Sequence, residues 1–435
     1  FRELGRMAPG YGEMMGALIG YVIGNYLDDF ITFSASAFMF QPVLKKIGYR
    51  LRDTMIPRVS REVAKNSLVF GLKIMMSGMM YQLVHFFVNL MIIAWVPQYG
   101  TVLGVYGIAK SICDISLVQL PMTPVLSEAY NHKKYSMYNY GIAFQLKYIG
   151  MIVGFLAIEI GMVFPIVLYH IIGGNYTIAA YIIPVLMPVR ASAIWCRFLD
   201  QVQVGASKPN HFAYTRVVEQ TTRFFAHLLL LHPKLLPSLL PAYVDLNFLG
   251  GTATAIPIFF VLYSFCDFPG MIAKTFFGFT LTDRKILKPV GLRLKIPWWQ
   301  MFGSMAIVFL IMIGANGGLV LLFDYVTTLG SIYSYILAGL YLLFLLFGAP
   351  FIIFFIYSCF GGWDDYGLKI FKDAVDLSGP SKFLISRLYK VCAFGHKISP
   401  LKNKFPIPHK AAEKEIAELN KLKKAAWEKL KKEQS

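Results

Sequence analysis

The sequence has few charged residues and few cysteines for its length. Only 15% of its 435 residues are charged, whereas 56% are hydrophobic. A soluble globular protein carries about 25% charged residues, so this composition excludes an ordinary soluble domain and indicates a polytopic helical membrane protein. The five cysteines show no paired spacing, and four lie in or beside apolar runs. They are therefore interpreted as small buried side chains, and neither disulfides, a metal site nor a cofactor is expected.

Two further features are missing. No secretory signal peptide precedes the first hydrophobic run, and the first residue is Phe1 rather than Met, so the chain is expected to be a fragment. No connection between hydrophobic runs is long enough to house a soluble catalytic domain. The net charge of +18 would suggest nucleic acid in a soluble protein. In a membrane protein the basic residues belong at the cytoplasmic membrane face, so no nucleic-acid partner is expected.

Long hydrophobic segments are what the sequence has instead. Between Ser67 and Val96 the only side chains that titrate near neutral pH or carry charge are Lys73 and His85. At about 1.5 Å per residue, this run exceeds the roughly 30 Å hydrocarbon thickness of a bilayer. Similar runs predict an all-α bundle of about nine transmembrane spans: 13–40, 66–97, 101–128, 140–171, 177–203, 214–232, 252–280, 299–323 and 332–359.

The basic residues between these spans predict the orientation. Fifteen lysines and arginines fall in the connections on one side of the membrane, and only three on the other. The positive-inside rule makes the first side cytoplasmic. An odd number of spans then puts Phe1 outside and the carboxy terminus inside. Beyond residue 360 we expect basic amphipathic helices on the membrane surface, with Asp364 and Asp365 as helix-starting acids.

Charged side chains inside the spans are the candidate functional residues, because burying charge in a bilayer is costly. Arg190 lies roughly 20 Å into its span by helical rise and has no acidic neighbour three or four residues away, and Arg197 follows two turns later on the same face. In the sixth span, polar residues recur at helical spacing around Arg223. The stripe consists of Arg216, Glu219, Gln220, Arg223 and His227. Together with Lys73 and Lys110, these arginines predict a basic surface that binds phosphate groups.

Ion pairing inside the bundle is the alternative to ligand binding. The spacing allows Lys110 to pair with Asp114, Arg223 with Glu219, and Lys274 with Asp267. For Lys147, Arg216 and Arg197, which lie near cytoplasmic ends, snorkelling to the interface is a further alternative.

A pair of carboxylates in the first span, Asp28 and Asp29, superficially resembles the magnesium-binding acids of membrane prenyltransferases. A second acidic motif at suitable spacing is missing from the sequence. A proton or cation relay, or an ion pair with another helix, is therefore the favoured interpretation of this pair.

Three short motifs resemble the second half of polysaccharide flippases in the multidrug/oligosaccharidyl-lipid/polysaccharide exporter superfamily. These are REVAKNSLVFGLK (61–73), LPMTPVLSEA (120–129) and QVGASKP (203–209). In that family two six-helix lobes face each other across a cavity. The resemblance covers roughly residues 11–395 and implies five domains: 1–40, the last helix of the first lobe; 41–65, a cytoplasmic linker; 66–280, the second six-helix lobe; 281–359, two additional transmembrane helices; and 360–435, a cytoplasmic, amphipathic, basic tail.

The resemblance implies translocation of a polyprenyl-pyrophosphate-linked oligosaccharide across the plasma membrane, and no enzymatic activity. Arg190, Arg197 and Arg223, with Lys73 and Lys110, would hold the headgroup, and Asp114 or Glu219 would couple transport to an ion. Membrane lipids and glycan-assembly enzymes are the other expected partners. About five helices of the first lobe would then be missing from the chain. Two alternatives stay open: a cation-coupled multidrug exporter, which should line its cavity with carboxylates, and a membrane enzyme acting on lipid-linked sugars.

Overall fold

The structure is a computed structural model, and only part of the chain is described here. The described residues are 12–46, 48, 50–52, 60–96, 99–114, 121–168, 177–232, 258–327, 331–407 and 409–434. The chain divides into two compact units, Phe1–Gly71 and Leu72–Ser435. All regular structure in the described ranges is helical, which confirms the predicted all-α class.

The first helix, α1 (Gly12–Lys46), lies in the first unit, and α2 (Arg61–Trp95) runs through residue 71 into the second. The remaining helices belong to the second unit. They are α3 (Tyr99–Ile112), α4 (Thr123–Asn131), α5 (Tyr135–Ile166), α6 (Thr177–Gly205), α7 (Pro209–Leu231), α8 (Ile258–Phe265), α9 (Phe268–Thr282), α10 (Ser304–Thr327), α11 (Ser331–Phe347), α12 (Ala349–Cys359), α13 (Asp365–Leu377), α14 (Lys382–Ile398) and α15 (Lys410–Gln434).

Four described helical segments are long and apolar enough to cross a membrane. They are Arg61–Trp95, Tyr135–Ile166, Ile178–Gly205 and Trp299–Gly318. A fifth crossing is formed if α11 and α12 act as one span, since they are bent by 46° across Gly348. These helices indicate a membrane protein, because their length and apolar composition match the hydrocarbon thickness of a bilayer.

The nine predicted spans are therefore only partly found. The predictions 66–97, 140–171, 177–203, 299–323 and 332–359 correspond to these segments. The prediction 13–40 corresponds to α1, which is helical but carries Asp28 and Asp29 and falls outside the set of membrane-crossing helices. The prediction 214–232 corresponds to α7, whose buried face is too polar for that set.

Two predicted spans are interrupted. The run 101–128 divides between α3 and α4, because Asp114, Pro121 and Met122 are not helical, and residues 115–120 lie outside the described part of the chain. Pro124 lies in the first turn of α4, where a proline needs no N–H partner. The run 252–280 is broken at Cys266–Asp267 between α8 and α9, and its residues 252–257 lie outside the described part of the chain. Hydrophobic length alone does not distinguish one span from two shorter helices.

The helix α6 is at the centre of the second unit. Of its most apolar stretch 67% is buried, against 28% for that of α2. It packs against α3, α4, α5, α7, α8 and α9, and Phe198 and Leu199 at its core are fully buried. A second core forms where α5 meets α10, α11 and α12, around Tyr357 and Ile158. The polar faces of α6, α7 and α9 consequently meet inside the bundle.

The tail is folded against this bundle. Asp364 caps α13 by accepting a hydrogen bond from the Gly367 N–H at 2.8 Å, which confirms the predicted helix-starting acid. The helix α15 packs on the beginning of α5, where Glu415 accepts a hydrogen bond from the Met137 N–H at 2.7 Å. Lys134 also pairs with Glu418, so several contacts join the tail to the first turn of α5.

Candidate functional site

A cavity of about 510 Å³ lies within the second unit. Side chains from α2, α3, α6, α7 and α9 and from the α8–α9 break line it. Most of its charged lining is cationic. Six cationic side chains face it, namely Lys110, Arg190, Arg197, Arg216, Arg223 and Lys274, whereas the lining carboxylates are Glu219 and Asp267. A volume in this range, about 300–1,000 Å³, is typical of ligand pockets.

The buried face of α7 supplies charged groups of both signs to the cavity. Glu219, Gln220, Arg223 and His227 are all buried, and they follow the helical spacing predicted from the sequence. Gly270 on α9 allows this face to come close, since a Cβ at that position would lie 2.8 Å from the Glu219 carbonyl oxygen. The polar stripe of α7 is therefore pressed against α9 rather than exposed to lipid.

One group of charges in the cavity wall is balanced. Lys274 Nζ lies 2.8 Å from Asp200 Oδ1 and 3.0 Å from Glu219 Oε2. Arg216 contacts the same two carboxylates, with Nη2 2.6 Å from Asp200 Oδ2 and Nη1 3.1 Å from Glu219 Oε2. Two cations and two carboxylates on α6, α7 and α9 thus neutralise one another, as a buried ion-pair network requires.

A second group surrounds Asp267 at the α8–α9 break. Arg223 lies between two carboxylates, with Nη2 3.1 Å from Glu219 Oε1 and Nε 3.1 Å from Asp267 Oδ1. His227 Nδ1 donates to the Arg223 carbonyl oxygen at 2.9 Å, and its Nε2 is 3.9 Å from Asp267 Oδ1. The Arg223 guanidinium also lies over the Tyr81 ring, 5.4 Å from its centroid. Arg223 is therefore held in position from three helices.

Three lining cations are not ion-paired within the described part of the chain. Lys110, Arg190 and Arg197 form no ion pair with a carboxylate of the described residues. The Arg190 Nε is buried and has no hydrogen-bond partner in the described part of the chain. A buried guanidinium N–H without an acceptor is costly, so this corner of the cavity is suited to an anion.

The structure brings together most, but not all, of the predicted site residues. Arg190, Arg197, Arg223, Lys110 and Glu219 line the one cavity.

Lys73 and Asp114 are not among the lining residues. Lys73 is half-buried on α2, and Asp114 is exposed after the end of α3.

The ion-pair predictions have mixed outcomes. The Arg223–Glu219 pair is confirmed at 3.1 Å. The Lys274–Asp267 pair is wrong, because Lys274 is directed to Asp200 and Glu219 instead. Asp200 is the residue that sequence reasoning missed. It is the single acidic residue of α6, and an acid in such an apolar helix was the available signal.

Lys147 does not snorkel as expected. Its side chain is only 1% exposed, and Nζ lies 2.9 Å from Asp364 Oδ1. Burial by itself would raise the pKa of Asp364, but the Lys147 ammonium and the N–H groups of Gly367 and Ile407 hold that pKa below its ordinary value. Lys147 is thus a structural partner of the tail and lies outside the cavity lining.

Asp28 and Asp29, the other predicted acidic feature, are exposed on α1 in the first unit. Within the described ranges, no group of three or more histidine, cysteine, aspartate or glutamate side chains is arranged to hold a metal ion. The arrangement that stands out chemically is the cation-rich cavity. No protein-family model, no curated protein and no solved structure matches this chain.

Proposed function

We propose that this protein translocates a polyprenyl-pyrophosphate-linked oligosaccharide across the plasma membrane, for the synthesis of a cell-surface polysaccharide or glycoprotein. The observation that carries the proposal is the excess of cations around one cavity. Even when Asp200 is counted with Glu219 and Asp267, three of the six lining cations are in excess. A pyrophosphate headgroup supplies charge of the opposite sign and oxygens that match guanidinium donors.

The position of the cavity supports a membrane-bound substrate. Two of its walls are α2 and α6, which are long and apolar enough to cross a bilayer. The headgroup of a lipid could enter between such helices while its chain stays in the hydrocarbon. In a site with a low dielectric constant, the attraction between guanidinium and phosphate is stronger than in water. We assign Arg190, Arg197 and Lys110 to the headgroup; Glu219 is already paired with Arg216, Arg223 and Lys274 and is not assigned to ion coupling.

The two other functional hypotheses have weaker support. A cation-coupled multidrug exporter should present carboxylates to its ligand, but Glu219 and Asp267 are already engaged by cations. A membrane enzyme acting on lipid-linked sugars would rely on Asp28 and Asp29, which belong to the other unit. The resemblance to polysaccharide flippases, with a second lobe at 66–280 and a cytoplasmic tail, remains part of the proposal.

The test is a flipping assay in vesicles with a fluorescent polyprenyl-pyrophosphate-linked sugar. The purified chain is reconstituted, and the fraction of probe that an external quencher reaches is followed with time. We expect flipping by the unsubstituted chain and a loss of roughly tenfold or more in rate for Arg190→Gln, because a charge-assisted hydrogen bond contributes about 1.5–3 kcal/mol. Arg190→Lys should retain part of the rate.

The matched control is Arg293→Gln, which removes an exposed arginine outside the cavity. It should flip the probe at the unsubstituted rate. Equal rates for Arg190→Gln and Arg293→Gln would contradict the proposal. Transport of a cationic dye, without flipping of the pyrophosphate probe, would favour the exporter instead.

A further inference from the structure

The tail helix α14 carries an exposed stripe of aromatic and basic residues. The stripe consists of Phe383, Arg387, Lys390, Phe394 and Lys397, and all five are exposed. They are four, three, four and three residues apart, so they lie on one face of the helix. The Arg387 guanidinium lies over the Phe383 ring at 4.0 Å, which keeps the aromatic and basic groups of this face together. The helix contains no acidic residue.

The opposite face of α14 fixes how the stripe is presented. Cys392, Gly395 and His396 are buried against the neighbouring helices α12 and α13. A Cβ on Gly395 would lie 2.8 Å from the Ser358 Cβ, so the two helices are in close contact there. His396 Nε2 also lies 2.9 Å from Asp365 Oδ1. The aromatic and basic stripe therefore points outward from a helix that is firmly packed.

The stripe continues the apolar outer surface of a membrane-crossing segment. The Phe394 ring stacks on Phe355 of α12, with centroids 6.1 Å apart and planes 16° apart. The preceding helix α11 exposes Leu343, Leu346 and Phe347, each more than half exposed. Such apolar side chains face lipid when the bent pair α11–α12 crosses a bilayer. Phe394 is thus placed at the edge of the lipid-facing surface.

We infer that the α14 stripe is a binding surface for anionic phospholipid. Aromatic side chains at the edge of a span enter the headgroup region, where the basic side chains between them reach lipid phosphates and carboxylates. Lysine and arginine side chains are attracted to an anionic membrane surface, and Arg387, Lys390 and Lys397 form no ion pair with a carboxylate in the described part of the chain. A partner protein would need an acidic, apolar surface at the level of the bilayer, and the continuity with α12 favours lipid instead.

The inference is independent of the proposed function and is tested by lipid quenching. A fluorophore is attached to Leu384→Cys, which lies beside the stripe, and the full chain is reconstituted in nanodiscs. Brominated phosphatidylglycerol and brominated phosphatidylcholine are compared as quenchers, with labelling of the unsubstituted chain as background. We expect both lipids to quench the label, and the anionic lipid to do so at least about twice as strongly.

The triple variant Arg387→Gln, Lys390→Gln and Lys397→Gln should abolish the preference while quenching by phosphatidylcholine persists. Its control removes three exposed lysines from α15, by Lys414→Gln, Lys421→Gln and Lys424→Gln, and should keep the preference. Absence of quenching by either lipid would place the stripe away from the bilayer and overturn the inference. Equal quenching by both lipids, or loss of the preference in the α15 control, would overturn the assignment to this stripe.

Discussion

Asp267 occupies a position in which it competes with any anionic ligand of the cavity. Its carboxylate lies 3.1 Å from Arg223 Nε. The charges of Arg190 and Lys110 also act on it across the cavity. The Asp267 carboxylate neutralises part of the positive charge of these cations when no ligand is bound. A phosphate that enters must therefore displace Asp267 from Arg223 or share the guanidinium with it.

Removal of this charge should tighten anion binding. We expect Asp267→Asn to bind inorganic pyrophosphate roughly tenfold more tightly than the unsubstituted chain, since removal of one negative charge about 6–16 Å away is worth about 1–3 kcal/mol at an effective dielectric constant near 20. Isothermal titration of the detergent-solubilised protein measures this directly.

Asp283→Asn serves as the control for that titration, because Asp283 pairs with Arg293 and lies outside the cavity lining. Its pyrophosphate affinity should be unchanged. Weaker binding by Asp267→Asn would mean that the carboxylate positions Arg223 for the ligand instead of competing with it.

Among the helices, the contact between α7 and α9 determines the geometry of the cavity wall. Gly270 is the point of closest approach, 2.8 Å from the Glu219 carbonyl oxygen when a Cβ is added. We expect Gly270→Ala to lower the free energy of unfolding by about 1–3 kcal/mol, because backbone atoms cannot move aside for the added methyl group. Thermal unfolding in detergent measures the loss.

The matched change is Gly314→Ala on α10, where a Cβ meets nothing within 4 Å. Alanine is favoured over glycine in a helix interior by about 0.5–1 kcal/mol, so this variant should be as stable as the parent or more so. Similar destabilisation by both substitutions would contradict the assignment of the loss to the α7–α9 contact.

The same helices show how far sequence reasoning extends. The apolar runs at 140–171 and 177–203 predicted α5 and α6, because length and composition are local properties. The polar stripe of α7 was likewise visible as helical spacing. The break at Asp267 was not, since apolar residues continue on both sides of it. The partner of Lys274 was also hidden, because Asp200 lies 74 residues away and only packing brings the two together.

Across the whole molecule, the buried Lys147–Asp364 pair joins the membrane bundle to the tail. We expect Lys147→Met to lower the free energy of unfolding by about 3–5 kcal/mol, because Asp364 is then left buried without its cation. The double variant Lys147→Met, Asp364→Asn should recover part of the loss. A single variant as stable as the parent, by thermal unfolding, would show that the pair contributes nothing.

Low pH should weaken the Lys147–Asp364 contact between bundle and tail. Because the folded-state pKa of Asp364 is lowered, its ionisation stabilises the fold above the ordinary value of 3.8. That stabilisation is lost as the pH falls below 3.8 and through the lowered pKa of the folded state. At neutral pH the Lys147–Asp364 pair is intact, so this contact still joins the tail to the bundle.

The pair also has a consequence for biosynthesis. Asp364 follows Lys147 by 217 residues. At a translation rate of about 5–20 residues per second, Asp364 is synthesised roughly 10 to 40 seconds after Lys147. Throughout that interval the nascent span carries the Lys147 charge without its counter-ion. The buried ion pair of the bundle can therefore form only after the segment that carries Asp364 has been synthesised.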